Sequence, residues 1–334
     1  MATIKDIAKL SGYSIGTVSR VINHHPDVSE KAKDAIEKVI EKENYQPNAN
    51  AKFMKLKASN IIAIIIKGYA NMFFFELLEQ LQSSLDEAEQ EVSIYYLDED
   101  GDEVETAYHI YVEKKPKGFI FLGGSLEHYD QYFKDADVPS VLLTNDAKHV
   151  QNPYVSSYTT DNLRAGAFAI QYLIDHGHTQ IGVIGGNPHS HTANDRLAGA
   201  AKQMQKQKIY FDETYYEPGR YSFDGGYTAM NTLLSRHPDI TAVFALADTI
   251  AIGALRCIKD HQLDVPKDIS VIGFDGIDLG QYCIPRLTTI YQDIEKMSKK
   301  ATENILLRMN YHKAAEYECI PFEIIQGKTV ANRK

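Results

Sequence analysis

From residue 58 onward the chain alternates short apolar runs with longer amphipathic stretches, and that alternation restricts its fold more than any other feature. The runs cover 61–66, 92–97, 118–122, 140–144, 181–185, 242–247 and 269–274. They are too short and too uniformly apolar for surface helices and read as buried strands. The stretches at 74–89, 103–114, 162–176, 193–206, 223–236, 249–261 and 294–308 carry helical periodicity. A strand lies parallel to its predecessor only through a crossover, and these helices supply it. The expected body is α/β, with parallel sheets covered by helices on both faces. The pattern breaks near 154–161, and the strand count suits two sheets, one in each of two lobes. Open parallel sheets bind ligands beyond the carboxyl ends of their strands, so facing lobes would place those ends across one cleft.

The first 57 residues follow a different rule. Ile4, Ile7, Ala8 and Leu10 share a helical face, with Thr3 as a cap and Asp6 reaching back to it. Gly12 ends that helix, Tyr13 fills the turn, and Ser14 caps a second helix over 15–22. Val18, Val21 and Ile22 would point inward, and Ile15, Gly16, Thr17, Ser19 and Arg20 outward. A third helix over 29–43 would bury Ala32, Ile36, Val39 and Ile40. Two short helices about a glycine turn make a helix-turn-helix, whose second helix presents its N-terminal side chains to a major groove. The segment Asn44-Tyr45-Gln46-Pro47-Asn48-Ala49-Asn50-Ala51-Lys52-Phe53-Met54-Lys55 has room for one or two helical turns beginning at Pro47. Such a helix is marginal alone, which fits folding on contact with DNA.

Charge divides the same way. Residues 1–57 hold nine Lys and one Arg against seven acids, a net +3, so the remainder carries −13 of the chain's total of −10. Cations lie where phosphates would meet them, and the acidic body resists non-specific adhesion. A surplus of +3 is small, so useful affinity calls for two paired headpieces. Cys257, Cys283 and Cys319 are far apart and fit neither a disulfide framework nor a metal knuckle. The pairs His176/His178 and His189/His191 read as solvated loop histidines without an evident third ligand. No metal and no cofactor is expected. Gly182-Val183-Ile184-Gly185-Gly186 is a strand end rather than a phosphate loop, and no nucleophile–histidine order is defensible, so an enzyme is disfavoured. No apolar run approaches the ~20 residues of a membrane span and no hydrophobic leader opens the chain, so a cytoplasmic protein is expected.

The stretches Ala2-Thr3-Ile4-Lys5-Asp6-Ile7-Ala8, Thr17-Val18-Ser19-Arg20-Val21-Ile22-Asn23, Val28-Ser29 and Asn44-Tyr45-Gln46-Pro47-Asn48-Ala49 are followed by Arg196-Leu197-Ala198-Gly199, Ile272-Gly273-Phe274-Asp275 and Leu287-Thr288-Thr289-Ile290. In order and spacing the chain resembles the lactose/galactose-repressor (LacI/GalR) family over almost its whole length. The resemblance implies a small all-α helix-turn-helix headpiece plus an α/β two-lobed periplasmic-binding-protein-like body of two doubly wound parallel sheets. It implies a headpiece over 1–46, a hinge over 47–58 and an effector-binding and dimerisation domain over 59–334. In that domain an N-lobe spans about 59–160 plus 292–321 and a C-lobe about 161–291 plus 322–334, with crossings near 160, 291 and 322.

On the DNA side the resemblance assigns base reading to Ile15, Gly16 and Arg20; Arg can grip guanine bidentately and Ile15 can touch a thymine methyl. Thr3, Ser14, Thr17, Ser19, Asn23, Tyr45, Asn48, Ala51 and Lys55 complete the DNA-facing set. Met54 stands where the family wedges a leucine into the minor groove. For the cleft it points to Phe73, Phe74, Asp146, Arg196, Tyr221, Asp248, Asp275 and Gln292. A carboxylate beside a guanidinium fork suits vicinal hydroxyls, and aromatic faces suit a sugar ring. Ser190 is uncharged where some members meet a charged effector, which counts against a purine or phosphate. Ala247 departs from the Asn or Asp common before the position of Asp248. The implied function is a homodimeric repressor of carbohydrate-utilisation genes on pseudo-palindromic double-stranded DNA, released by a sugar bound between the lobes. A corepressor-dependent regulator and a catabolite regulator controlled by a phosphorylated carrier protein stay open. A sugar-binding receptor is disfavoured by the headpiece.

Overall fold

Apolar runs become strands and amphipathic stretches become helices in the structure, a computed structural model that describes residues 4–22, 28–42, 61–311 and 313–333. The chain divides into two compact units, residues 1–57 and 58–334. In the first, helices α1 (Ile4–Ser11), α2 (Ile15–Ile22) and α3 (Glu30–Lys42) enclose buried Ile7, Ala8, Val18, Val21, Ala32 and Ile36. Tyr13, Val28, Val39 and Ile40 pack against that small core. Gly12 turns the chain with φ +75°, its N–H donating to the Ala8 carbonyl at 3.1 Å. Any side chain there would be strained. Ser14 Oγ then accepts from Thr17 N at 3.1 Å and caps α2.

The larger unit holds two six-stranded sheets. The first runs β11 (Tyr317–Ile320), β5 (Val155–Thr160), β4 (Ser140–Leu143), β3 (Gly118–Leu122), β1 (Ile61–Lys67), β2 (Glu91–Leu97). The second runs β12 (Phe322–Ile325), β10 (Thr288–Gln292), β9 (Ser270–Asp275), β8 (Ala242–Ala245), β6 (Ile181–Ile184), β7 (Tyr216–Glu217). Every pairing is parallel except β10 with β12, an antiparallel edge with Thr289 opposite Ile325. Each sheet is covered on both faces by helices, which bury one cluster about Ile64, Leu77 and Ile120 and another about Phe119, Phe121 and Tyr129 in the first lobe. In the second lobe the clusters centre on Val243 and Ile250 and on Phe244 and Ala200.

Within the expected break at 154–161, residues 155–160 form a strand that the pattern missed, β5, buried along its length inside the first sheet, and the passage to the second sheet follows at Asp161. Its polar side chains hid it, because Ser156, Ser157 and Thr159 are satisfied sideways, while Thr160 Oγ1 is buried without a partner. Ser156 Oγ accepts from Arg308 Nη1 (3.0 Å) and Glu316 N (3.0 Å), and Ser157 Oγ accepts from Ala147 N (3.1 Å). Thr159 Oγ1 donates to the Thr144 carbonyl at 2.9 Å. The chain passes between sheets three times, at Asp161, Asp293 and Pro321. The first two are helix caps: Asp161 Oδ1 accepts from Arg164 N and Asp293 Oδ1 from Lys296 N, both at 2.9 Å.

The helices of the second lobe meet at glycines. Helices α7 (Asn162–Asp175) and α8 (His191–Lys206) cross at Gly166 and Gly199, and α9 (Phe223–Arg236) and α10 (Asp248–Asp260) at Gly226 and Gly253, where any Cβ would overlap a carbonyl of the facing helix. In the first lobe, α4 (Met72–Glu87) and α12 (Ile294–Tyr311) meet through Leu77, Leu81, Met297, Ala301 and Ile305 instead. No helix among the described residues is long and apolar enough to cross a membrane.

Candidate functional site

Two surfaces carry the expected site residues. On the headpiece, the outward face of α2 presents Ile15 (43% exposed), Gly16 and Arg20, while Thr17 is half-buried. Ser14 and Thr17 are occupied with each other, their hydroxyls 2.9 Å apart. Arg20 is free to reach outward because Val18 and Val21 anchor the opposite face of the same helix. Thr3, Asn23, Tyr45, Asn48, Ala51, Met54 and Lys55, and the side chain of Ser19, lie outside the described residues.

Between the lobes of the larger unit the strand ends line a partly open cavity. Of the eight expected cleft residues, Phe73, Phe74, Arg196, Tyr221, Asp275 and Gln292 line it. Phe73 and Phe74, at the start of α4, are buried with their rings tilted 51° and 6.0 Å apart. Asn71 caps that helix through Phe73 N, which fixes where both rings enter the wall. Tyr221 Oη lies 3.4 Å from Ser190 Oγ.

Asp275 ends β9 in a backbone conformation that favours glycine, φ +113°. Its Oδ1 accepts from Gln292 Nε2 at 2.8 Å and lies 3.6 Å from Arg196 Nη1. Arg196 is held in place by donating to the Asn162 side chain (2.8 Å) and the Leu246 carbonyl (2.6 Å), and its guanidinium lies 3.5 Å from the Phe274 ring centroid. Burial pushes the Asp275 carboxyl up to about 7, against the pull of Arg196 and Gln292. Asp275 Oδ2 and Gln292 Oε1 are buried without a hydrogen-bond partner.

Asp248 and Asp146 do not line this cavity. Asp248 is wholly buried at the start of α10, where it accepts from Gly276 N (2.7 Å), Ile277 N (2.9 Å) and Thr289 Oγ1 (2.6 Å). It braces the turn after β9 and so aims Asp275. Burial, and then the nearby Asp275, hold its carboxyl well above the usual range. Asp146 turns to its own loop and accepts from Lys148 N (2.6 Å) and Lys148 Nζ (2.8 Å). Its neighbour Asn145 lines the cavity instead, donating to the Gly124 carbonyl at 2.9 Å.

Other lining residues had no expected role. His189 and His191, read as solvated, both face the cavity, and His191 Nε2 lies 3.2 Å from Glu127 Oε1 of the opposite lobe. Glu99 and Asn187 also line it. Arg220 crosses from the second lobe to Asp98 (2.5 Å), Glu99 (2.6 Å) and Asp100 (3.4 Å), and Asn187 donates to Asp100 at 2.7 Å. The run Asp98-Glu99-Asp100 directly after a strand, with Arg220 as a lone counter-charge far along the chain, was the only sequence signal for this contact. Among the described residues, no group of three His, Cys, Asp or Glu is placed to hold a metal ion.

A helix-turn-helix headpiece carried by a two-lobed α/β body defines a DNA-binding transcription regulator. Residues 3–48 match the bacterial regulatory proteins of the lacI family, and residues 170–330 match a periplasmic binding protein-like domain. The HTH-type transcriptional regulator MalR of Clostridium butyricum is 35% identical over 98% of this chain and 99% of its own length. A CelR transcriptional regulator–cellobiose complex superposes with a TM-score of 0.73 at 25% identity, covering 98% of this chain and 100% of that one. A lac repressor dimer bound to operator and the anti-inducer ONPF gives 0.71 at 25% identity, with 99% of each chain covered. The chain belongs to the lacI family of bacterial regulatory proteins.

Proposed function

We propose that this regulator is a repressor of carbohydrate-utilisation genes, working in the cytoplasm as a homodimer on a pseudo-palindromic operator and released when a sugar or sugar derivative fills the cleft. It carries out no catalysis. Arg20 and Ile15 read bases, and Gly16 lets α2 approach them closely. The observation that carries the ligand reading is the pair of buried, unpartnered acceptors, Asp275 Oδ2 and Gln292 Oε1, beside a fixed guanidinium. Buried acceptors without donors are costly, and adjacent sugar hydroxyls would supply what is missing. The cellobiose held by the CelR relative supports a ligand of this class. The boundaries that best suit this work are a headpiece over 1–46, a hinge over 47–58 and two lobes exchanging segments at the three crossings. The lobes would respond to ligand by changing how the hinges are spaced, and the coupling must be reciprocal.

Binding to a fluorescent operator fragment, titrated with sugars that raise the melting midpoint, tests this reading. A stabilising sugar is expected to weaken DNA affinity roughly 5–150-fold. A sugar that binds the protein and tightens DNA binding would make it a corepressor-dependent regulator. A cleft indifferent to every sugar would sink the ligand assignment. Arg20→Ala should lose operator selectivity while keeping the sugar response.

A further inference from the structure

The cavity has a second unmet acceptor, on the lobe opposite Asp275. Glu99 follows β2, lines the cavity, and its side chain is 10% exposed. Arg220 Nε takes its Oε1 at 2.6 Å, while Oε2 is buried with no hydrogen-bond partner. Burial raises the Glu99 carboxyl above the usual range, with Arg220 and then Asn187 pulling the other way, and the Asn187 amide donates to Asp100 at 2.7 Å. Arg220 is itself shared with Asp98 and Asp100, so the carboxylate is tethered from across the cleft with one oxygen left over. That oxygen is distinct from the Asp275 and Gln292 pair, whose neighbours are Arg196 and Asn162.

The Lys and Arg side chains of the lining are already engaged. Lys67 Nζ donates to Glu103 Oε2 at 2.8 Å, and Glu103 Oε1 is satisfied by Ser125 N (2.8 Å) and Leu126 N (2.9 Å). Arg196 is held by Asn162, Leu246 and Asp275. The cavity therefore asks for hydrogen-bond donors on both lobes and offers no free Lys or Arg to an anion. Resting on the sugar reading above, we propose that Glu99 is a specificity-determining residue, which accepts a hydroxyl of the ligand at the end opposite Asp275 and selects a neutral sugar over its phosphorylated form. A phosphate brought to that end would face a carboxylate instead of a donor. Arg220 is the positioning residue: it turns Glu99 so that one oxygen serves the clamp and the other the ligand.

The test compares wild type, Glu99→Gln and Asp275→Asn by calorimetry, using glucose, ribose, maltose and cellobiose and the monophosphate of each. Gln keeps the bulk and one acceptor for Arg220 but removes the charge. At least one neutral sugar should bind wild type, with its phosphate at least tenfold weaker. Glu99→Gln should lose at least tenfold for that sugar while the gap to the phosphate narrows. A merely structural role would lower both affinities together and leave their ratio unchanged, which would overturn the proposal. So would a wild type that prefers a phosphate. A neutral sugar that loses affinity in Asp275→Asn but not in Glu99→Gln would leave the sugar reading standing and remove Glu99 from it. If none of these compounds binds wild type, both fall.

Discussion

The two lobes use the same device in different electrostatic settings. In each, a carboxylate in the first turn of a crossover helix braces the loop that follows the next strand. In the first lobe it is Glu103, opening α5 (Glu103–Lys114) and accepting from Ser125 N and Leu126 N beyond β3. In the second it is Asp248, opening α10 and accepting from Gly276 N and Ile277 N beyond β9. Glu103 has Lys67 as a partner, whereas the third donor of Asp248 is only the Thr289 hydroxyl, and another buried acid, Asp275, lies nearby. The sheets also share one strand order, yet helices of the second lobe touch backbone to backbone at glycines. Topology decides where a binding loop sits. The partner of its brace and the closeness of its helices decide how stiffly it is held.

The sharpest way to break this parallel is Asp248→Ala, which strands three buried donors. We expect a loss of about 3–5 kcal/mol in urea unfolding. A smaller loss than that of Glu103→Ala would mean the unpaired brace is the less important one. Next comes Gly199→Ala, whose Cβ would overlap the Leu163 carbonyl. A cost of about 3 kcal/mol is expected from overpacking, and an unchanged midpoint would show that α7 and α8 separate easily.

The pH dependence should also differ between the lobes. The folded carboxyl of Asp275 is raised to about 7, so the native state holds a proton that the unfolded chain has already lost near pH 4. Stability from this group falls as pH rises from about 4 to 7 and stays low above that, with Asp248 pushing in the same direction. Asp275→Asn should therefore gain on the order of 2 kcal/mol relative to wild type between pH 5 and pH 8 without ligand. Parallel stability curves for the two proteins would show that Asp275 ionises freely. The smallest effect is expected at the headpiece, where Ile15→Ala should move stability by less than about 0.5 kcal/mol because its side chain is outward. Operator affinity should fall nonetheless, as measured by titration of labelled DNA.

The strands that sequence patterning locates are those whose side chains are apolar on both faces, such as β1 and β3. It passes over β5 because Ser156, Ser157 and Thr159 are buried by hydrogen bonding rather than by apolarity. It passes over β12 because an antiparallel edge needs no crossover to announce it. Within the site, three aspartates stand at strand ends and look equivalent in one dimension, but only Asp275 faces the cavity. Its positive φ and the brace from Asp248 rotate it inward, while Asp146 satisfies itself on Lys148. Residue type and position cannot carry such local rotations. Nor do they fix the orientation of Glu99, which depends on a partner, Arg220, that approaches from the other lobe.

The three passages between sheets have a consequence for biosynthesis. The first lobe takes α12 and β11 from beyond residue 293, after the whole of the second lobe's parallel sheet has been made. Until those residues leave the ribosome, β5 is an open strand edge, and the apolar face of Leu77 and Leu81 lacks its cover of Met297, Ala301 and Ile305. At translation rates of about 5–20 residues per second, that exposure lasts on the order of ten seconds. The nascent first lobe thus keeps that apolar surface and strand edge uncovered until the late helix arrives to close them.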